Sequence, residues 1–543
     1  MVLNLPIVAL WIGIAFAESL SLSQHQQQLL HDRLFQTNLR GPRWTGNDNQ
    51  NTLTELVAGS MRVAGLEVKT LTYELDRWDP RWWSLTLKLK NGTVLGLPTT
   101  GYWPYSGDSG LGGVTKPVHD AGSFKVIDDL ARTADVDSLD LSHLSSGGAI
   151  VFFDNPSPTR NYSLPEYRLL GTSRDIPASS IPELGNLTNP HWQSAKALNF
   201  TDLKAKGVDA VIASWVDTSD EDAALQYLPN RGAPGNGNHY DVPALYVGNS
   251  TGELIRGLVK DGEVDTATVV LDAPSYKSNS STVIGHLKGT GNTEHTIILY
   301  THSDGPSIIE ENGPILLLTM AEVLAQHRPN INIDFVITTG HVSGGHLNES
   351  LWMDEESSMI ANAKAIVACE HFGAIEWKDD LDDGKPVYKP TGLMEPMWTM
   401  ANDSALSDLL HELYLESFED TSDSVRMALV APQRIKGKLS KWYGVGGAAH
   451  FGHSKTPTIG IIPQPDYLWA SMVDGGWSKL DIPTAIEQIN VILKLIDKLD
   501  TKPDVMLDAN KQNRVGDHGD IVILFGSAPA CGADIRGLLS TND

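Results

Sequence analysis

Residues Thr296–His346 read TIILYTHSDGPSIIEENGPILLLTMAEVLAQHRPNINIDFVITTGHVSGGH. An apolar run, Ile297 to Thr301, leads into a polar loop carrying His302, Ser303, Asp304, Glu310, Glu311 and Asn312. Pro314 stands where a first helical turn tolerates proline, because its missing N–H would have no intrahelical partner there. Leu316, Leu317, Met320 and Leu324 follow at helical spacing and predict one apolar face. Ile333 to Thr338 is a second apolar run, and it delivers another polar loop with His341, Ser343 and His346. Strand, helix and strand in this order form the βαβ unit of a parallel sheet. In such sheets chemistry collects outside the carboxyl ends of the strands. Both histidine-bearing loops fall at such ends.

Working outward, the chain has 543 residues, which predicts two or more domains. A hydrophobic content of 41% with 14 Trp supports packed cores. The formal charge of -26 sets the surface against nucleic acid and against anionic membranes, which would repel it. Leu5 to Phe16 forms an apolar run, and Ala15-Phe16-Ala17 is a small-x-small cleavage site, so residues 1–17 read as a secretory signal. No later run reaches the roughly 18 residues that span a bilayer, so no membrane anchor is expected. Eight Asn-x-Ser/Thr sequons (Asn91, Asn161, Asn186, Asn199, Asn249, Asn279, Asn348 and Asn402) fit an exported protein carrying N-glycans. The expectation is a secreted, extracellular chain. With only Cys369 and Cys531 there is no disulfide framework, and Cys369, at the end of AIVAC, reads as a small buried hydrophobe.

Before this unit, residues 18–129 alternate helical and strand patterns. They include the amphipathic Leu53–Val63 and a tryptophan-rich hairpin turning at Asn91-Gly92. Trp78, Trp82 and Trp83 could stack on sugars, but sheet packing is the better reading. Residues 130–274 form a second unit, in which LKAKGVDAVIA and VPALYVG resemble the helix-to-strand passage and a strand of protease-associated (PA) domains. That resemblance implies a small β/α insertion that acts as a lid, a substrate filter or a docking module for a protein partner. Residues 275–500 then carry the main α/β part, with AKAIVACEHFG and TPTIGIIPQPDYL as further strands, and residues 501–543 read as a loose, disordered tail. The fold class expected is α/β, a mainly parallel mixed sheet flanked by helices, with the smaller PA-like domain inserted.

This layout resembles the co-catalytic zinc exopeptidases, which include secreted aminopeptidases, the glutamate carboxypeptidase group and the transferrin receptor ectodomain. His302-Ser303-Asp304 matches the family's His-x-Asp, which implies His302 as a metal ligand and Asp304 as the residue that orients it. The other positions depart from the pattern. Glu311 or Asn312 stands where the family has a bridging Asp, and Gly340-His341 replaces a Glu-Glu pair of base and ligand. Cys369-Glu370-His371 ends the strand that should present an Asp, and Pro465-Asp466-Tyr467 is followed by Leu468 where a ligand His belongs. Glycine cannot accept a proton from water and leucine cannot bind metal, so the ordinary di-zinc site is not expected.

The remaining imidazoles and carboxylates suit a single divalent ion, zinc first among the candidates. On this reading His302, His341 and either Glu370 or His371 supply the metal ligands, and Asp304, Glu311 and His341 the catalytic groups, with Glu311 acting on the bound water. The substrate implied is a peptide or small amide. A second reading is a catalytically inactive peptidase-like protein that binds peptides, glycans or another protein. A third is metal-free serine chemistry at Ser343, whose His341-Val342-Ser343-Gly344-Gly345 surroundings faintly match a nucleophile elbow. His346, His450 and His453 read as structural.

Overall fold

The computed structural model describes residues 20–501 except 124, 127–133, 143, 145, 157–166, 174–199, 217, 225–240, 344–345, 383–384, 402–406, 433, 436–437, 440–455, 464, 466 and 469. The expected signal (1–17), the tail beyond Thr501, Cys531, His450, His453 and the sequons at Asn161, Asn186, Asn199 and Asn402 lie outside the described residues.

The βαβ stretch folds as its pattern requires, with strands Thr296–His302 and Asn332–Thr338 on either side of the helix Gly313–Gln326. These strands sit inside a nine-stranded sheet. Four neighbours, Asn332–Thr338, Thr296–His302, Ala363–Cys369 and Thr458–Pro463, run parallel. Antiparallel partners flank them: Ser275–Leu287 with Glu67–Trp78 on one side, and Met397–Ala401 on the other. Met427–Pro432 and Tyr167–Thr172 complete the second edge. The fold is therefore mixed α/β with a parallel centre.

All four central strands are buried along their whole length, which explains why they read as continuous apolar runs. Alternate side chains serve opposite layers. Ile297, Leu299, Ile333, Phe335, Ile337 and Val367 pack with Leu30, Leu34, Val57, Met61, Leu317, Ile489 and Ile492 from the covering helices. Ile298, Tyr300, Val336, Ile366 and Ala368 pack on the other face against Trp352. The helices begin where capping chemistry permits. Asn47 caps Asp48–Val63 by accepting from the Gln50 N–H, and Asp481 caps Ile482–Asp500 by accepting from the Thr484 N–H. Cys369 is buried and pairs with no other cysteine among the described residues, and burial pushes its thiol's pKa up.

A second body consists of two facing sheets. One has five strands in the order Gly101–Tyr102, Ala244–Val247, Val208–Val216, Ala149–Pro156 and Val118–Ser123, the last four parallel. The other is antiparallel and joins Val94–Leu97, Trp82–Leu89, Val264–Asp272 and Gly110–Lys116. Leu85, Leu87, Val269 and Leu271 of the second sheet pack on Ile150, Phe152, Ile212 and Leu245 of the first. The stretch Trp82–Ser123, grouped by sequence with the first α/β segment, thus lies in these two sheets. Tyr167–Thr172 does the reverse and closes an edge of the large sheet. Trp78 is buried and Trp83 packs against the same core, whereas Trp82 is 58% exposed. The hairpin Ile375–Asp382 and Lys385–Met394 reaches back to this body. The Asp379 carboxylate accepts from the Ser219 hydroxyl at 2.6 Å and from the Thr218 hydroxyl at 2.9 Å. No helix among the described residues is long and apolar enough to cross a membrane.

Candidate metal centre at the sheet rim

Three neighbouring parallel strands deliver their following residues to one spot. His302 ends Thr296–His302, Glu370 and His371 follow Ala363–Cys369, and His341 stands three residues after Asn332–Thr338. Glu310 joins them from the loop before the helix Gly313–Gln326. All five are buried. His302 Nε2 and His371 Nε2 lie 3.7 and 3.8 Å from the same Glu370 oxygen. One Glu310 oxygen is 3.2 Å from His371 Nε2 and the other is 3.7 Å from His341 Nε2. The His302 and His341 rings stack at 3.9 Å. Within this cluster, His302 with Glu370 and His371, and His302 with Glu310 and His341, each bring one ligand atom apiece within 4.8 Å of one another.

Each imidazole is held from behind. His302 Nδ1 is 2.9 Å from the Asp304 carbonyl and His371 Nδ1 is 2.9 Å from the Pro463 carbonyl. His341 Nδ1 is 3.0 Å from a Glu349 carboxylate oxygen. Carbonyls and carboxylates only accept, so Nδ1 carries a hydrogen in every ring, and Nε2 is the atom left facing inward. His302 Nε2, His371 Nε2 and both Glu310 oxygens have no hydrogen-bond partner among the described residues. Buried polar atoms without partners are costly, and several converging on one point fit a cation. Ligands about 2.0–2.1 Å from a tetrahedral zinc stand roughly 3.3 Å apart, close to the separations here.

The resemblance made Asp304 the residue that orients His302, and the contact between them is a main-chain one. The His302 ring is fixed by the Asp304 main-chain carbonyl. The Asp304 carboxylate is taken instead by the Thr45 hydroxyl at 2.5 Å and the N–H groups of Gly340 and Val342 at 3.2 and 3.1 Å. It therefore pins the His341 loop. Gly340 has φ +101°, where a side chain is strained, and a Cβ would meet the Leu347 carbonyl at 3.1 Å. The position expected from the family to hold a glutamate thus has a backbone suited to glycine. His371, by contrast, takes φ +61° despite its side chain, a sparsely populated conformation that collects at functional sites.

Glu311 also departs from expectation. It forms an ion pair with the buried Arg43 guanidinium and accepts from the Ser307 N–H at 3.2 Å. The carboxylate that faces the imidazoles is Glu310, one peptide bond away, which the sequence offered as a ligand-type group but which was passed over for Glu311. Asn312 donates to the Phe372 carbonyl at 2.8 Å. Ser343 uses its hydroxyl to close its own loop, donating to the Gly340 and Leu347 carbonyls at 2.9 and 2.8 Å, so it is a turn residue rather than a paired nucleophile. His346 stacks on Tyr105 at 4.9 Å. Leu468 packs in an apolar cluster with Ile309 and Val342. Glu349 was legible only as the middle of the Asn348 sequon.

The charges favour a cation. Burial alone would depress the His341 pKa, yet the carboxylates of Glu349, Glu370 and Glu310 raise it to about 10. For His302, burial and His341 are outweighed by Glu370 and Glu310, again upward. Burial pushes Glu370 up, but the three imidazoles bring it down to about 2. Asp304 is raised by burial.

Among solved structures, the chain is similar to a zinc aminopeptidase from Bacillus subtilis, with a TM-score of 0.54 at 16% identity over 87% of this chain and 95% of that one. An aminopeptidase from Aneurinibacillus gives 0.51 at 14% identity, over 87% and 95%. A Peptidase M28 precursor from Shewanella amazonensis gives 0.52 at 14% identity, over 88% and 96%. At these identities the likeness establishes a shared fold, that of the zinc exopeptidases. No family model matches the sequence, and no curated protein does.

Proposed function

We propose that the chain is a secreted metal-dependent hydrolase of peptide or related amide bonds, working through a remodelled centre. The observation that carries this reading is the convergence of three Nε2 atoms and two carboxylates in one buried spot at the rim of a zinc-exopeptidase fold. His302, His341, Glu370 and His371 would hold one divalent ion, with zinc the best fit to this imidazole-rich set. Such an ion, when bound, polarises an amide carbonyl and acidifies a water. Glu310 takes the role that sequence assigned to Glu311, because its oxygens face His341 and His371 and it can accept a proton there. His371 supplies an imidazole in place of the one missing at position 468. Asp304 contributes by locking the loop that presents His341.

Export is supported by the apolar N-terminal run and the sequons, of which Asn91 and Asn279 are exposed. The two-sheet body corresponds in this reading to the PA-like insertion, touching the main domain through Asp379 and filtering substrates or recruiting a protein partner. Elemental analysis of the purified chain tests the proposal, with about one zinc per chain expected. His302→Ala should abolish retention of the metal. Glu310→Gln should keep it and lower hydrolysis of an aminoacyl or peptide panel by roughly a hundredfold or more. A chain that takes up no divalent ion would remove this reading and leave the inactive binding protein.

A further inference from the structure

Glu349 is the least expected charged group near the centre. It is buried to 1% exposure, one residue from the sequon asparagine. One of its oxygens accepts from the Tyr300 hydroxyl at 2.6 Å and from the Thr338 hydroxyl at 2.9 Å. The other faces His341 Nδ1 at 3.0 Å. Tyr300 and Thr338 belong to adjacent parallel strands, and their own hydroxyls are 3.0 Å apart, so the carboxylate is clamped to the rigid centre of the sheet. His302 and His371 are held by main-chain carbonyls, whereas among the three His341 alone takes its anchor from a side chain.

We propose that Glu349 is the positioning residue of the centre: it fixes His341 in the Nδ1–H tautomer and aims Nε2 at the His302–Glu310 cluster. The inference rests on the metal-site reading given above. A free imidazole would divide between two tautomers and rotate about its side-chain bonds, and only one combination offers a lone pair inward. Anchors of this kind typically account for about tenfold to a hundredfold in metal affinity. The replacement of a loop carboxylate by His341 would then have required a second acidic residue behind it, and Glu349 meets that need.

The test is zinc affinity, measured by competition with a chromophoric chelator on the full-length chain, for the wild type and Glu349→Gln. Glutamine keeps the size and one acceptor oxygen but removes the charge. Zinc binding weakened by about tenfold to a hundredfold, with the metal-free unfolding temperature shifted by less than about 3 °C, is the expected result. Wild-type binding with an unchanged affinity in Glu349→Gln would overturn the positioning role and leave the metal site standing. No binding by the wild type would overturn both. Should Glu349→Gln not fold, Tyr300→Phe removes one donor to the carboxylate and no group of the centre. It should weaken zinc roughly twofold to tenfold, and an unchanged affinity there would also overturn the inference.

Discussion

At the carboxyl ends of its central parallel strands the large sheet presents His302, His341, Glu370 and His371, whereas the parallel strands of the two-sheet body present Asn155, Trp215 and Tyr246 near theirs. Both rims are buried, and both contain polar atoms without hydrogen-bond partners among the described residues, including the Asn155 amide, the Trp215 indole nitrogen and the Tyr246 hydroxyl. They differ in what those atoms are. Imidazole nitrogens and carboxylates at 3.2–3.8 Å can share a cation. An amide beside an indole and a phenol among stacked aromatic rings offers no charge to attract one. Parallel topology therefore places a rim, and the residue types on it decide whether the rim has chemistry.

The largest expected effect concerns how the charged rim stays soluble in its own interior. Glu310 and Glu311 are adjacent buried carboxylates, one facing imidazoles and the other Arg43. Arg43 is itself 1% exposed, its pKa lowered to about 9 by burial, and it also donates to the Thr37 carbonyl at 3.0 Å. Arg43→Met strands the Glu311 charge and should cost about 3–5 kcal/mol in urea unfolding. The double variant Arg43→Met/Glu311→Leu should recover most of that loss, with zinc affinity within about threefold of wild type. If the double variant loses the metal as well, Glu311 belongs to the centre and the division between the two carboxylates is wrong.

The other rim gives a smaller effect of opposite sign. The Asn155 side chain is fully buried, with neither end of its amide bonded among the described residues. Leaving such a group unsatisfied costs about 1–3 kcal/mol, so Asn155→Leu, close to it in size, should stabilise the chain by up to that amount. Zinc content should not change. A loss of stability in thermal or urea unfolding would mean that this rim's polarity is compensated after all, and the contrast between the two rims would narrow.

Sequence periodicity was enough for the parallel centre of the large sheet, because Thr296–His302, Asn332–Thr338 and Ala363–Cys369 are buried on both faces and cannot read as anything but apolar runs, but it took Ala273–Val283 for a linker where the strand Ser275–Leu287 runs. It also placed His302, His341, Glu370 and His371, since a loop that follows a parallel strand has one destination. It could not choose between Glu310 and Glu311. Neighbouring residues in an irregular loop point in directions set by tertiary contacts, here by Arg43 more than 260 positions away in the chain. Nor could it find Glu349, whose partners Tyr300 and Thr338 read as ordinary strand residues. Gly340 looked like a lost base until its positive φ showed a turn with two N–H groups aimed at Asp304. The segment Trp82–Ser123 was grouped with the first α/β segment for a related reason: a short strand carries no local mark of the sheet it will join.

The smallest expected effect lies where the two bodies meet. Lys479 Nζ sits 3.0 Å from the centroid of the Trp377 ring, with the rings of Tyr467 and Tyr388 at 4.9 and 5.3 Å. Burial lowers its pKa from 10.5 to about 8, against the opposing pull of Asp474 and of Asp222 in the two-sheet body. Between about pH 8 and 10.5 the folded chain then binds fewer protons at this site than the unfolded chain does. Stability contributed by Lys479 therefore rises with pH across that window, relative to Lys479→Met, which has nothing to titrate. Asp222→Asn removes an upward pull and should move the rise to lower pH, which would show that the two bodies share this charge. Attraction between the ammonium and the ring face works the other way, favouring the protonated form. A stability difference that stays flat from pH 7 to 10 would mean the aromatic cage offsets burial, and that Lys479 is a fixed cation bridging the bodies.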